Sequence, residues 1–209
     1  MRKLVVGTFL SLDGVMQAPG APDEDRDGGF EHGGWTVPHF DEQLGQIMAD
    51  LTGRAGALLL GRKTYDVFAA SWPLLGDDDP IAATLNHIPK YVVSRSPRTL
   101  EWNNSTLLTG DVAAEVAKLK EQPGGEIQVS GSGELIQTLL RHDLVDEFHL
   151  LIFPVLVGSG KRLFAAGTIP RGLKLVDTTT SSTGVMINTY ERHGDLTYGA
   201  VGPEQEQGQ

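Results

Sequence analysis

Residues 3–12 (KLVVGTFLSL) are apolar or β-branched at nearly every position, without alternation between polar and apolar side chains. A strand with one wet face alternates, whereas a strand covered on both faces does not. The segment therefore reads as a central strand of a sheet with helices on either side, and Asp13-Gly14 as the turn that ends it. An α/β architecture follows, and the rest of the chain must supply the covering layers.

Residues 17–34 are rich in Gly, Pro and Asp, a loop long enough to serve a function or to be disordered. From Pro38 the period changes: Phe40, Leu44, Ile47, Met48 and Leu51 fall on one helical face, which Gly53 closes. Residues 55–60 (AGALLL) form a short buried strand, and Gly61-Arg62-Lys63-Thr64 opens a helix containing Tyr65, Val67 and Phe68. Strands are expected at 91–93, 106–108 and 127–129, and helices at 111–122 and 134–141. Residues 145–157 are strand-like, with Pro154 marking a bulge or an edge. Residues 173–179 and 185–192 pair as a hairpin about Ser181-Ser182-Thr183-Gly184. The expected fold is one α/β domain over 1–195, a mostly parallel sheet with an antiparallel C-terminal hairpin, followed by a polar tail over 196–209.

The 209 residues suffice for one domain with a core that needs no staples. Without Cys there is no disulfide, zinc–thiolate site, iron–sulfur cluster or cysteine nucleophile. A net charge of −10 disfavours nucleic acid as a partner, because phosphate binding wants a basic face. The acidic runs Asp23, Glu24, Asp25, Asp27, Glu31 and Asp77, Asp78, Asp79 read as solvated loop charge. No apolar run approaches the ~20 residues of a membrane span, and the N-terminus does not read as a signal peptide. A cytoplasmic protein with no membrane partner is expected. His32 and His39 lie seven apart with no third ligand in view, so no metal is expected. His87, His142, His149 and His193 read as surface or strand residues.

In open α/β sheets, ligands bind at the carboxyl ends of the strands. Gly131-Ser132-Gly133-Glu134 combines glycines that let a backbone approach phosphate with the start of a helix, although such turns also serve as plain connections. Gly61-Arg62-Lys63-Thr64 offers a hydroxyl near a helix N-terminus and a guanidinium that can fork onto phosphate. Ser94-Arg95-Ser96 presents two hydroxyls about a guanidinium. Three such exits in one sheet suit a dinucleotide carrying a pyrophosphate and a 2′-phosphate.

The segments SLDGV, LLLGRKTY, KYVVSRS, VSGSGELIQTLL and VDEFHLLIFPVLVGSGKRLF occur in this order. Together they resemble the dihydrofolate-reductase-like superfamily, and within it the RibD C-terminal domain, the reductase domain of riboflavin biosynthesis. The resemblance covers roughly Lys3 to Arg192, and the run from Pro154 to Phe164 is its most specific part. It implies a three-layer dihydrofolate-reductase-like fold and a reductase using NADPH, similar to 5-amino-6-(5-phosphoribosylamino)uracil reductase. Carried over by position, Gly61, Arg62 and Thr64 would contact the pyrophosphate and adenosine phosphate. Ser94, Arg95 and Ser96 would lie by the 2′-phosphate and adenine, and Gly131, Ser132, Gly133, Glu134 and Leu135 would wrap the pyrophosphate and nicotinamide ribose. Trp35 and Asp41 are expected at the substrate pocket. Asp13, at the exit of the first strand, is expected at the reaction centre, where an acid could donate a proton or orient water. The acid that holds the pterin in a dihydrofolate reductase would fall near Gly45, where none stands. The leading expectation is thus an NADPH-dependent reductase of a small heterocyclic or sugar-phosphate molecule. The alternatives are a non-catalytic nucleotide-binding protein and a dihydrofolate reductase. A homodimer is also expected, because Leu150-Leu151-Ile152-Phe153 is more apolar than one sheet face can easily cover.

Overall fold

The computed structural model describes residues 1–164 and 166–201. Its first strand, β1 (Leu4–Ser11), is buried along most of its length. Helix α1 (Glu42–Thr52), β2 (Ala55–Gly61), α2 (Arg62–Ser71), α3 (Pro80–His87) and β3 (Lys90–Val93) follow. Next come β4 (Ser105–Leu108), α4 (Val112–Glu121), β5 (Glu126–Val129), α5 (Gly133–Arg141), β6 (Glu147–Phe153), β7 (Leu173–Thr180) and β8 (Met186–Arg192). The eight strands form one sheet in the order β4-β3-β2-β5-β1-β6-β8-β7. Pairing is parallel as far as β6 and antiparallel through β8 and β7. This is the mostly parallel sheet with an antiparallel C-terminal hairpin expected from the sequence.

Both faces of β1 are covered, as its composition requires. Leu4, Val6 and Leu10 pack with Val116 and Leu119 of α4 and with Leu135, Ile136 and Leu139 of α5. On the opposite face, Leu44 of α1 packs with Leu151, Phe153, Val185 and Ile187, while α2 and α3 bring Tyr65 and Leu85 against Leu58, Leu60 and Val92. This is three layers. Leu150, Leu151 and Phe153 are buried within the single chain, so the argument for a dimer from that run does not hold.

Several boundaries differ from those expected. Helix α1 begins at Glu42 because Asp41 caps it, accepting a hydrogen bond from Leu44 N at 2.6 Å, while Val37–His39 forms a separate 3₁₀ turn. Helix α3 was not expected at all. Its N-cap, Asp79, sits in the second acidic run and accepts from Ile81 N and Ala82 N, both at 2.9 Å. That carboxylate is therefore structural rather than merely solvated. Strand β6 ends at Phe153, one residue before Pro154, which cannot donate to a ladder. Of the polar tail, residues 202–209 lie outside the described residues.

Candidate functional site

The exits of β2 and β5 interlock. Gly61 N donates to Gly131 O at 3.0 Å. A Cβ on Gly61 would stand 2.3 Å from Ser132 Oγ and 2.9 Å from its backbone N, and one on Gly131 would stand 2.6 Å from Thr64 Oγ1. Gly131 also has φ +153°, where a side chain is strained. Only glycine lets these two turns approach so closely. The structure thus brings together Gly61, Thr64, Gly131 and Ser132, far apart in sequence.

Both helices that leave these turns start uncapped. The N-caps of α2 and α5 are Gly61 and Ser132, and neither makes a side-chain capping bond. By contrast α1, α3 and α4 are capped by Asp41, Asp79 and Asp111. The first amides of an uncapped helix need another acceptor, and the helix dipole favours an anionic one.

Thr64, Ser130, Gly131, Ser132 and Gly133 line a cavity of about 470 Å³ that runs along the sheet beneath α1, α2 and α3. Its walls are largely apolar, among them Phe9, Met48, Leu51 and Phe68, with a few polar groups such as Gln128 and His149. That size and character suit a small-molecule site. Residues 17–21, with Glu24 and Asp25, form one wall. This loop is packed rather than free: Gln17 is buried, and its Nε2 donates to Asp25 O and Asp27 O at 3.1 and 3.0 Å. Phe30 is buried against Val15 and Ala18.

Other residues expected at the site stand around it or outside it. Arg62, half-exposed, lies 3.6 Å from Asp66, and Arg95, almost fully exposed, lies 3.4 Å from Glu134 across the β3 and β5 exits. Ser94 Oγ donates to Ser96 O at 2.9 Å, closing their turn. The Leu135 side chain is in the core, so only its backbone can face a ligand. Asp41 is used as a cap and also accepts from Ser182 Oγ at 2.5 Å, outside the cavity lining. Trp35 packs edge-on against Phe153, its indole N–H donating to Gln17 O at 2.8 Å, and it too is outside the lining.

Asp13 is a brace. It accepts from Ser11 Oγ at 2.7 Å, Val157 N at 3.0 Å and Gly158 N at 2.8 Å, with Arg162 at 3.4 Å. The Ser11 hydroxyl and then the Val157 amide hold its carboxyl well below the usual carboxylate range. An acid so stabilised as its anion does not donate a proton near neutrality. It also lies outside the cavity lining. Instead it ties the end of β1 to the segment 154–164, whose Gly160 lies so close to Val15 and Phe30 that a Cβ there would meet them at 2.8 and 2.9 Å.

Three basic lining residues were given no site role in the sequence. Lys63 and Lys161 reach into the first acidic run: Lys63 pairs with Asp27, and Lys161 with Asp25 and Asp27 at 2.5 and 2.8 Å. Asp27 is drawn down to about 2 by hydrogen bonds from Lys161 and Lys63. His149, read as an ordinary strand or surface histidine, is buried beside the cavity with Nε2 2.6 Å from Glu147 Oε1. Its alternation with Glu147 on a strand was the available signal, but only the sheet order says which face looks into the cavity.

The chain matches the family model of the RibD C-terminal domain over residues 2–187. It is 31% identical over 196 residues to the uncharacterized protein YyaP of Bacillus subtilis (strain 168), covering 92% of this chain and 96% of that protein. It is similar in structure to dihydrofolate reductase from Enterococcus faecalis complexed with NADP(H), with a TM-score of 0.57 and 13% identity over 91% of this chain and 96% of that one. The diaminohydroxyphosphoribosylaminopyrimidine deaminase/5-amino-6-(5-phosphoribosylamino)uracil reductase of Thermotoga maritima gives a TM-score of 0.60 at 14% identity. That likeness covers 92% of this chain and 57% of the longer one. At such identities the structural likeness establishes the fold.

Proposed function

This chain belongs to the RibD C-terminal domain family, and on that premise we propose that it is an NADPH-dependent reductase of a small heterocyclic or sugar-phosphate substrate. The observation that carries this reading is the pair of uncapped helix N-termini whose glycine turns interlock beside one cavity. Their amides, with Thr64 Oγ1, fit a pyrophosphate, and side chains on Gly61 or Gly131 would fill that cradle. Arg62 and Arg95, with Ser94 and Ser96, offer the cations and hydroxyls that a 2′-phosphate wants, and Arg95 is free to swing from its weak exposed pair with Glu134. When bound, NADPH supplies a hydride. The apolar walls exclude water from the transfer, and the packed loop 17–34 closes one side.

A folate reductase is less well supported: α1 offers the cavity Met48, Leu51 and Thr52, and no carboxylate. The test is a fluorescence titration with NADPH and NADH, followed by NADPH absorbance with 5-amino-6-(5-phosphoribosylamino)uracil and with dihydrofolate as acceptors. NADPH should bind at least about tenfold tighter than NADH, and Arg95→Ala should erase most of that difference. Binding without consumption would favour the non-catalytic reading, and no binding of either nucleotide would overturn both.

A further inference from the structure

His149 stands in mid-strand, level with Gly7 of β1 and Thr189 of β8. It is buried, 3% exposed, yet it lines the cavity. Its Nε2 is engaged by Glu147 Oε1, and the other oxygen of Glu147 accepts from Lys3 Nζ at 2.7 Å. Lys3 also reaches Glu191 at 3.0 Å. The other ring nitrogen, Nδ1, has no partner among the described residues. Gly7 leaves the floor open beside it, since a Cβ there would meet nothing within 4 Å. On the far side of β1, Gln128 is held by its Nε2 donating to Leu51 O at 2.7 Å. A buried polar pair is a costly way to fill an apolar face, and this one leaves the second ring nitrogen of a cavity-lining histidine unpaired.

We propose that His149 is the proton donor of this cavity, hydrogen-bonding through Nδ1–H to the heteroatom of the substrate C=N or C=O group that is reduced. The inference rests on the reductase reading. The carbon gains a C–H bond by receiving hydride, with its electron pair, from the reduced nicotinamide, and the π pair moves to the N or O atom. That atom takes the Nδ1 proton, the Nδ1–H bond breaks, and a neutral imidazole remains, its Nε2–H held by Glu147. Solvent returns the proton after product leaves. Glu147 is the positioning residue, fixing the tautomer and the orientation of the ring through Nε2.

Burial raises the Glu147 carboxyl, but hydrogen bonds from Lys3 and His149 outweigh it and keep the group below its ordinary value. The residues that α1, β1 and β5 present to the cavity are uncharged, as is Thr189 of β8. Besides His149, the titratable groups on the lining are Glu24, Asp25, Lys63 and Lys161. Of these, Asp25, Lys63 and Lys161 pair with one another, and Glu24 accepts from backbone amides.

The experiment is imidazole ¹⁵N NMR on the full chain between about pH 5 and 9, for the wild type, Glu147→Gln and His149→Gln, followed by single-turnover reduction of 5-amino-6-(5-phosphoribosylamino)uracil. The free wild type should titrate at His149 with its neutral form protonated on Nε2, and Glu147→Gln should move that midpoint and the pH profile of turnover down together. His149→Gln should bind NADPH within about twofold yet lose about 100-fold or more in the reduction step. A neutral ring protonated on Nδ1, no titration in this range, or undiminished reduction by His149→Gln would overturn the proposal. If the wild type reduces no candidate, the reductase reading fails, while tautomer and titration still decide whether the ring can deliver a proton.

Discussion

Lys90 shows how costly a single residue can be within this sheet. Its side chain is fully buried, with Nζ 2.8 Å from Asn86 O and 4.3 Å from the centre of the Trp102 ring. Burial pushes the ammonium from 10.5 down to about 8. Between those values the unfolded chain holds more protons than the folded one, so this group makes stability rise with pH across the window. Below about 8 the full cost is present, on the order of 3 kcal/mol at most. Lys90→Met should therefore gain stability relative to wild type at pH 7, and the gain should shrink toward pH 10. Urea midpoints across that range measure it. Asp13 has the opposite sign. Its depressed carboxyl stabilises the fold above the unfolded value of about 4 and loses that contribution as acid titrates it. Asp13→Ala should cost about 1–3 kcal/mol by thermal melting, because the Val157 and Gly158 amides lose their acceptor.

At the scale of elements, helices α1 to α5 divide by how they start. Those capped by Asp41, Asp79 and Asp111 are closed structural starts, whereas α2 and α5 open onto the cavity. Asp79→Ala should cost about 1 kcal/mol of stability by thermal melting, since the Ile81 and Ala82 amides lose their acceptor. Gly61→Ala should do far more. Its methyl would collide with the Ser132 backbone as well as its side chain, so the β2 and β5 exits must separate. Loss of NADPH binding in calorimetry together with a lowered melting temperature is the expected pair of results. A normal affinity would show that the interlock is dispensable.

For the whole molecule the open question is its edge. Strand β7 ends the sheet, and all eight of its residues are exposed, with Leu175 and Val176 about half accessible. Phe164, Ile169 and Met186 are also exposed. An exposed edge strand carrying apolar side chains invites pairing unless something covers it. A second copy of the chain is expected to cover this hairpin. Light scattering at micromolar concentration should give about twice 22.5 kDa, and Val176→Glu should halve it. A mass of one chain for the wild type would refute the dimer.

Local chemistry determined much of this protein. The unalternating run at residues 3–12 required a covered sheet, and the glycine turns at Gly61 and Gly131 marked two strand exits that the fold joins. Helix α3 escaped notice because it is short, buries only Ala82 and Leu85, and takes its cap from an acidic run that looks like loop. The site was harder to read for a physical reason. Whether a carboxylate is a reagent or a brace depends on the donors that meet it, and those of Asp13 include amides 144 and 145 residues away. Whether a strand histidine is surface or site depends on which face of the sheet is hollow. Sequence carries the alternation that puts Glu147 and His149 on one face, but only the packing of α1 over β1, with Gly7 left bare, turns that face into the floor of a cavity.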